Sequence, residues 1–174
     1  MGLTKNPYLA NALQLFLNPT PYFLALVFLF LVIFFYGMRV GRGRMILVLL
    51  SLYVVIVLTA LFPFRAYLFE TVKGQPYFIE LGLFWVAFIV VFLLFLNSPL
   101  RSLAVRAKSP ILQILILSIL ILGVFISHIT VLLPANILAK LDHKVFTYFK
   151  TETAQFWWAL AGVVFLAVMR RKGE

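Results

Sequence analysis

The chain has 174 residues, of which 64% are hydrophobic and only 11% are charged, and its formal net charge is +10. A soluble domain carries about 25% charged residues, so this composition excludes an ordinary soluble fold and indicates a protein whose exterior contacts lipid. The absence of cysteine excludes disulfides, thiol catalysis and cysteine-ligated metals.

The first patterned segment covers residues 7–18. Asn11, Gln14 and Asn18 recur at helical spacing, opposite apolar side chains such as Leu13. This pattern predicts a short amphipathic helix that lies in the membrane interface and ends before the prolines at 19 and 21. A disordered lead-in is the alternative interpretation.

Five apolar stretches follow, and a hydrocarbon core of about 30 Å needs roughly 20 residues of helix for each crossing. They cover residues 22–38, 45–64, 77–96, 110–133 and 154–169. The fifth is the shortest, and as a helix it would rise only about 24 Å, less than the thickness of the hydrocarbon core. A four-span chain with residues 154–169 on the membrane surface is therefore the alternative.

The segment between the fourth and fifth spans is the longest of the gaps. Residues 136–150 place Leu138, Leu141 and Phe149 on one helical face, opposite Lys140 and Lys144. They predict a second interfacial amphipathic helix, which either positions the last span or serves as a lid or partner-binding surface. The predicted fold class is all-α: residues 1–174 form a single integral membrane domain, a polytopic helical bundle of five transmembrane helices plus two short interfacial helices.

Charge alternates between the gaps that separate the spans. The first gap, the third gap and the C-terminus carry nine of the fifteen Lys and Arg residues, with Glu174 as the one acid on that side. The other gaps mix six basic residues with the four remaining acids. By the positive-inside rule, we predict a multi-pass protein of a cell inner (plasma) membrane, with the N-terminus outside and the C-terminus in the cytoplasm.

The excess of basic residues does not indicate a nucleic-acid partner. The basic residues stand in short clusters beside apolar spans, as cytoplasmic loops do, and we therefore expect no nucleic-acid binding. The expected contact is the lipid bilayer itself, with anionic headgroups at Arg39, Arg42 and Arg44.

Few ionisable side chains lie near or within the spans, and such groups are functional candidates because burying them in lipid is costly. On the predicted outer side these are Glu80, His128, Asp142 and His143. A carboxylate and a histidine at one depth can relay protons or bind a metal, but no His-Glu-x-x-His or Gly-x-Ser-x-Gly pattern is present. We therefore predict no catalytic residue, no metal site and no cofactor.

The turn between the first two spans contains several glycines and arginines. Gly37 and Gly41 stand four residues apart, which lets another helix approach closely, and Gly41 and Gly43 permit the positive φ of a tight reversal. With Arg42 they form a candidate helix-contact hairpin. Gly37, Arg42 and Gly43 resemble the corresponding turn of the colicin V production protein family across about residues 24–60.

That resemblance implies a non-enzymatic protein of the bacterial envelope. The chain departs from the family pattern, since no acidic residue begins the first span and the chain ends in a span rather than a surface tail. We predict a membrane scaffold or partner subunit that associates with another protein or with copies of itself. The alternatives are a small oligomeric transporter or channel that uses Glu80 and His128, and an interfacial enzyme at the outer face.

Overall fold

The computed structural model describes residues 20–64, 67–68, 76–98, 111–138, 149 and 151–168. Within these residues it contains six helices and no strand. We label them α1 (Pro21–Val40), α2 (Arg42–Ala60), α3 (Pro76–Asn97), α4 (Ile111–Leu132), α5 (Ala135–Leu138) and α6 (Glu152–Val168). The prediction of an all-α helical bundle is confirmed.

Four of the helices are long and apolar enough to cross a membrane: α1, α2, α3 and α4, with 20, 19, 22 and 22 residues. They coincide with the first four predicted spans. The fifth predicted span is also helical, but α6 has only 17 residues. At about 1.5 Å per residue it falls a few ångströms short of a hydrocarbon core of about 30 Å.

The helix ends follow from local chemistry. The Thr20 hydroxyl accepts a hydrogen bond from the Phe23 backbone N–H at 3.3 Å, and Pro21 occupies the first turn of α1, where no N–H is needed. The second span, predicted at about 45–64, corresponds to the helix Arg42–Ala60, which begins directly after Gly41. Pro63 disfavours helical backbone at Phe62, so the helix cannot continue far beyond Ala60.

Contacts between the helices define two ends of the bundle. The Arg42 guanidinium, at the start of α2, donates a hydrogen bond from Nη1 to Gln113 Oε1 at 2.9 Å, near the start of α4. These two helices are therefore parallel, and we call the end where both begin the basic end. Gly37, near the end of α1, lies against Ile114, so α1 runs antiparallel to α4. We call the end where α1 begins and α4 finishes the mixed end.

The third and last helices also begin at the mixed end. Phe84, in the first half of α3, packs its ring against His128, near the end of α4. Trp158 of α6 lies on Gly123, at the middle of α4, and Phe149, just before α6, accepts a hydrogen bond on its carbonyl from Thr130 Oγ1 at 3.3 Å. From Gly123 to Thr130 the chain of α4 moves towards its end, while the contacting residues move back from Trp158 to Phe149. The two helices are therefore antiparallel.

The last helix lies alongside the bundle rather than across one end of it. The Tyr53 hydroxyl, at the middle of α2, donates to the Ala159 carbonyl at 2.8 Å. Gly162 faces the same hydroxyl. The centre of α6 is therefore level with the centres of α2 and α4.

The bundle is built around α4 and α2, which hold most of the buried residues, while α1, α3 and α6 expose apolar side chains. The core cluster joins α2, α3 and α4 and includes Met45, Leu49, Leu52, Val55, Phe84, Val91, Leu117, Ile121 and Val124. An apolar exterior would be unfavourable in water, whereas in a bilayer it faces hydrocarbon.

The two predicted interfacial helices are only partly visible. Residues 7–18 lie outside the described residues. Of the second, predicted at 136–150, the structure shows the single turn Ala135–Leu138 and a helical backbone at Phe149, and the positions between them lie outside the described residues.

Gly123→Ala should loosen the attachment of α6. A Cβ at position 123 would overlap the indole of Trp158, which is a rigid ring and cannot bend aside like the end of a flexible chain. We expect a loss of about 1–3 kcal/mol, the usual cost of overpacking. Thermal unfolding in mild detergent, followed by tryptophan fluorescence, measures it. Gly82→Ala in α3 is the matched control, since no described heavy atom lies within 4 Å of its added Cβ; equal losses in both variants would contradict the packing role.

Candidate functional site

The first candidate region is the hairpin at the basic end. A single residue, Gly41, separates α1 from α2, and its φ of 85° and ψ of 168° place it in a region that essentially only glycine occupies. Its N–H donates to the Gly37 carbonyl at 2.8 Å, and its carbonyl accepts from Met45 N at 3.4 Å. Gly43 is buried inside α2, so the positive φ predicted for the two glycines occurs at Gly41 and not at Gly43.

The close approach of helices in this hairpin occurs at Gly37. A Cβ built there would lie 2.8 Å from Ile114 Cγ2 and 3.0 Å from the Met45 sulfur. At Gly41 no heavy atom of the described residues lies within 4 Å of the corresponding position. The two glycines therefore have different roles: Gly37 lets α1 and α4 pack closely, and Gly41 supplies the backbone conformation of the turn.

The arginines of the hairpin differ in exposure. Arg39 and Arg44 are exposed, whereas Arg42 is half-buried and donates to Gln113 across the bundle. All three lie within a turn or so of a helix end, where long basic side chains reach the lipid headgroups while their stems stay against apolar surface. Arg42 thus positions α2 against α4, and the side chains of Arg39 and Arg44 lie exposed at the basic end.

The second candidate region is at the mixed end. The rings of His128 and Phe84 lie 4.9 Å apart with an interplanar angle of 40°. Glu80 lies one turn before Phe84 on α3, and residues four apart share a helix face. The structure therefore places Glu80 and His128 at the same end of the bundle, with Glu80 on the face of α3 that carries Phe84, whose buried ring contacts His128.

The remaining predicted members of this region, Asp142 and His143, lie outside the described residues. Among the residues that the structure describes, no group of three or more His, Cys, Asp or Glu side chains is placed to hold a metal ion.

Buried hydroxyl groups inside the bundle bond to their own helices. Ser51, Thr59 and Ser118 each donate to the backbone carbonyl four residues earlier, at 2.7–2.8 Å. Thr130 donates to the Ser127 carbonyl, and the Ser127 hydroxyl is buried with no hydrogen-bond partner in the described part of the chain. Ser51, Thr59 and Ser118 are thus satisfied within single helices, whereas Thr130 also donates to the Phe149 carbonyl outside its own helix.

Sequence reasoning missed a groove between α1, α4 and α6. Its volume is about 330 Å³, and Val27, Phe30, Gly123, Phe149 and Trp158 are among the apolar residues that line it. Trp158 stacks on Phe149 with ring centroids 5.6 Å apart and an angle of 10°. The only signal in the sequence is Gly123 in an otherwise bulky span, because the residues that face it come from distant segments.

A comparison of the chain with protein-family models, curated proteins and solved structures found no match.

The hydrogen bond between Arg42 and Gln113 should couple two helices that are far apart in sequence. We expect Arg42→Ala and Gln113→Ala each to lower stability, and the double variant to lose less than the sum, with a coupling of about 1–2 kcal/mol for a hydrogen bond to a charged donor. Thermal unfolding in mild detergent measures all four proteins. Strictly additive losses would show that the contact contributes nothing to stability.

Proposed function

We propose that this multi-pass membrane protein is a non-enzymatic scaffold or partner subunit of a bacterial-type cell envelope. The observation that carries the proposal is the interior of the bundle. Its core is packed with apolar side chains, and the buried hydroxyls of Ser51, Thr59 and Ser118 bond to their own helices. A single copy therefore offers no polar path of the kind that transport requires among the described residues. The resemblance of residues 24–60 to the colicin V production family supports the envelope assignment.

The proposed topology has five crossings. Two contacts, between Tyr53 and Ala159 and between Gly123 and Trp158, hold the centre of α6 level with the centres of its neighbours. A surface helix would instead lie near one end. The short length of α6 is compensated by local thinning of the bilayer or by flanking side chains that extend to the interface, at a modest cost. With basic residues inside, the basic end faces the cytoplasm and the N-terminus lies outside.

Cysteine labelling tests this orientation, since the native chain has no cysteine. Asn97→Cys, at the basic end of α3, should react with a membrane-impermeant maleimide only after cells are permeabilised. Asn136→Cys, at the mixed end, should react in intact cells. Both asparagines are exposed, which makes them a matched pair. The reverse pattern would overturn the orientation, and labelling of both in intact cells would overturn the placement of the two ends on opposite sides.

A partner subunit should not be a lone monomer in mild detergent. We expect the mass of the native complex, measured by native mass spectrometry, to exceed the 19.9 kDa of one chain. Substituting the two exposed arginines of the hairpin, Arg39→Gln with Arg44→Gln, tests whether the basic end contributes to the assembly, and Lys at both positions is the charge-preserving control. A monomer without any bound protein would contradict the proposal.

The second candidate, an oligomeric transporter or channel, rests on the shared location of Glu80 and His128. It requires that Glu80→Gln or His128→Asn abolish proton or ion flux in proteoliposomes while the fold is retained. We expect instead that flux in the native protein equals that of empty vesicles and that neither variant changes the mass of the complex. Flux that depends on these two side chains would replace the scaffold with the transporter.

A further inference from the structure

We propose that the groove between α1, α4 and α6 is a binding site for a segment of a lipid acyl chain. The inference rests on the membrane placement of the bundle but not on its role as a scaffold. The chemistry of the lining, the depth of the groove, its continuity with the lipid-facing surface and its size together identify the occupant.

The lining is almost purely hydrocarbon. Side chains of α1 and α4 form two walls, and the stacked rings of Phe149 and Trp158 form the third. Water in a buried site needs two to four polar partners, and the walls of this groove offer almost none. An aqueous or charged ligand would lose its hydration there without compensation. The occupant must therefore be apolar.

The groove lies at the depth of the acyl chains. Gly123 is at the middle of α4, and Trp158 is near the middle of α6. On α1 the groove covers Leu26 to Phe30, between the mixed end and the middle of the helix. At about 1.5 Å per residue this length is a single turn, so the groove takes part of one chain rather than a whole lipid.

The groove is also continuous with the surface that faces lipid. On α1, Leu24 and Phe28 are 53% and 69% exposed beside the lining residues, and Ile119 on α4 is 39% exposed while itself lining the groove. A chain in the surrounding bilayer can therefore enter sideways, past these exposed apolar side chains. The groove is an inward extension of the lipid interface.

Size distinguishes a lipid chain from another helix. A helix with its side chains is about 10–12 Å in diameter, and several turns of it need far more than the 330 Å³ present. Pockets that hold small molecules start at about 300 Å³, a volume that suits a flexible chain segment. The occupant that fits is a saturated or singly unsaturated acyl segment, whose torsions can adapt to the groove.

Tryptophan quenching tests the site in the full-length protein. The chain has three tryptophans, so Trp85→Phe with Trp157→Phe leaves Trp158 in the groove as the only one. In vesicles of phosphatidylcholine brominated towards the methyl end of the chain, Trp158 should be quenched. Adding Val27→Phe fills the groove and should lower the quenching by about half, because close-packed interiors have no room for a second occupant. Val32→Phe, on the same helix at a position 48% exposed outside the groove, should leave it unchanged.

Each other outcome has a distinct meaning. No quenching of Trp158 in the parent protein, or equal quenching in the Val27→Phe and Val32→Phe variants, overturns the acyl-chain site. A variant that retains only Trp157, which is 61% exposed, must be quenched whether or not the groove is occupied. If it is not, the membrane placement itself fails. Disulfide-linked dimers of Leu26→Cys in the vesicles would assign the groove to a second copy of the chain and overturn the lipid.

Discussion

Hydrocarbon offers no hydrogen bonds, so polar groups within this bundle must be satisfied by the protein itself. The backbone meets this requirement by forming helices. The buried hydroxyls of Ser51, Thr59 and Ser118 meet it by bonding one turn back on their own helices. The consequence is that few polar groups remain to join one helix to another. Side-chain bonds that do join long helices run from Arg42 to Gln113 and from Tyr53 to Ala159.

Helix association must then depend largely on close packing, since there is little hydrophobic driving force between helices already in lipid. Three glycines supply that packing. Gly37 admits Ile114 and Met45, Gly123 admits the Trp158 indole, and Gly162 admits the Tyr53 hydroxyl. The last two lie at the contacts of α6, which is why a helix of 17 residues can be held beside the centre of the bundle. The groove next to Gly123 follows from the same contact, because Trp158 holds α6 there while leaving space on the side of α1.

The two ends of the bundle differ in the functions they can support. At the basic end, arginines flank a turn of one residue, and two of the three are exposed. At the mixed end, His128 of α4 packs against the buried ring of Phe84, and Glu80 lies one turn before Phe84 on α3. The interior between the ends is apolar.

Much of the fold was predictable from the sequence because the bilayer imposes a simple rule. Runs of about 20 apolar residues must form helices, and the first four spans appear within a few residues of their predicted limits, apart from the end of α2, where Pro63 acts. The alternating charge placed the first and third gaps on one side, and the bond between Arg42 and Gln113 shows that α2 and α4 do begin at one end. The role of Gly37 in close packing was also predictable, because a glycine in a membrane helix lets a neighbouring helix approach closely.

Only the tertiary structure could decide which residues meet across the bundle. Trp158 and Gly123 are 35 positions apart, and no periodicity in either helix specifies the rotation that brings them together. The same holds for Tyr53 with Gly162, for Phe84 with His128, and for every wall of the apolar groove. Hydrophobicity determines that a segment enters the membrane, and it is equal on nearly all faces of these helices. The choice of face therefore rests on shape, through the few positions where a missing side chain leaves room for a large one.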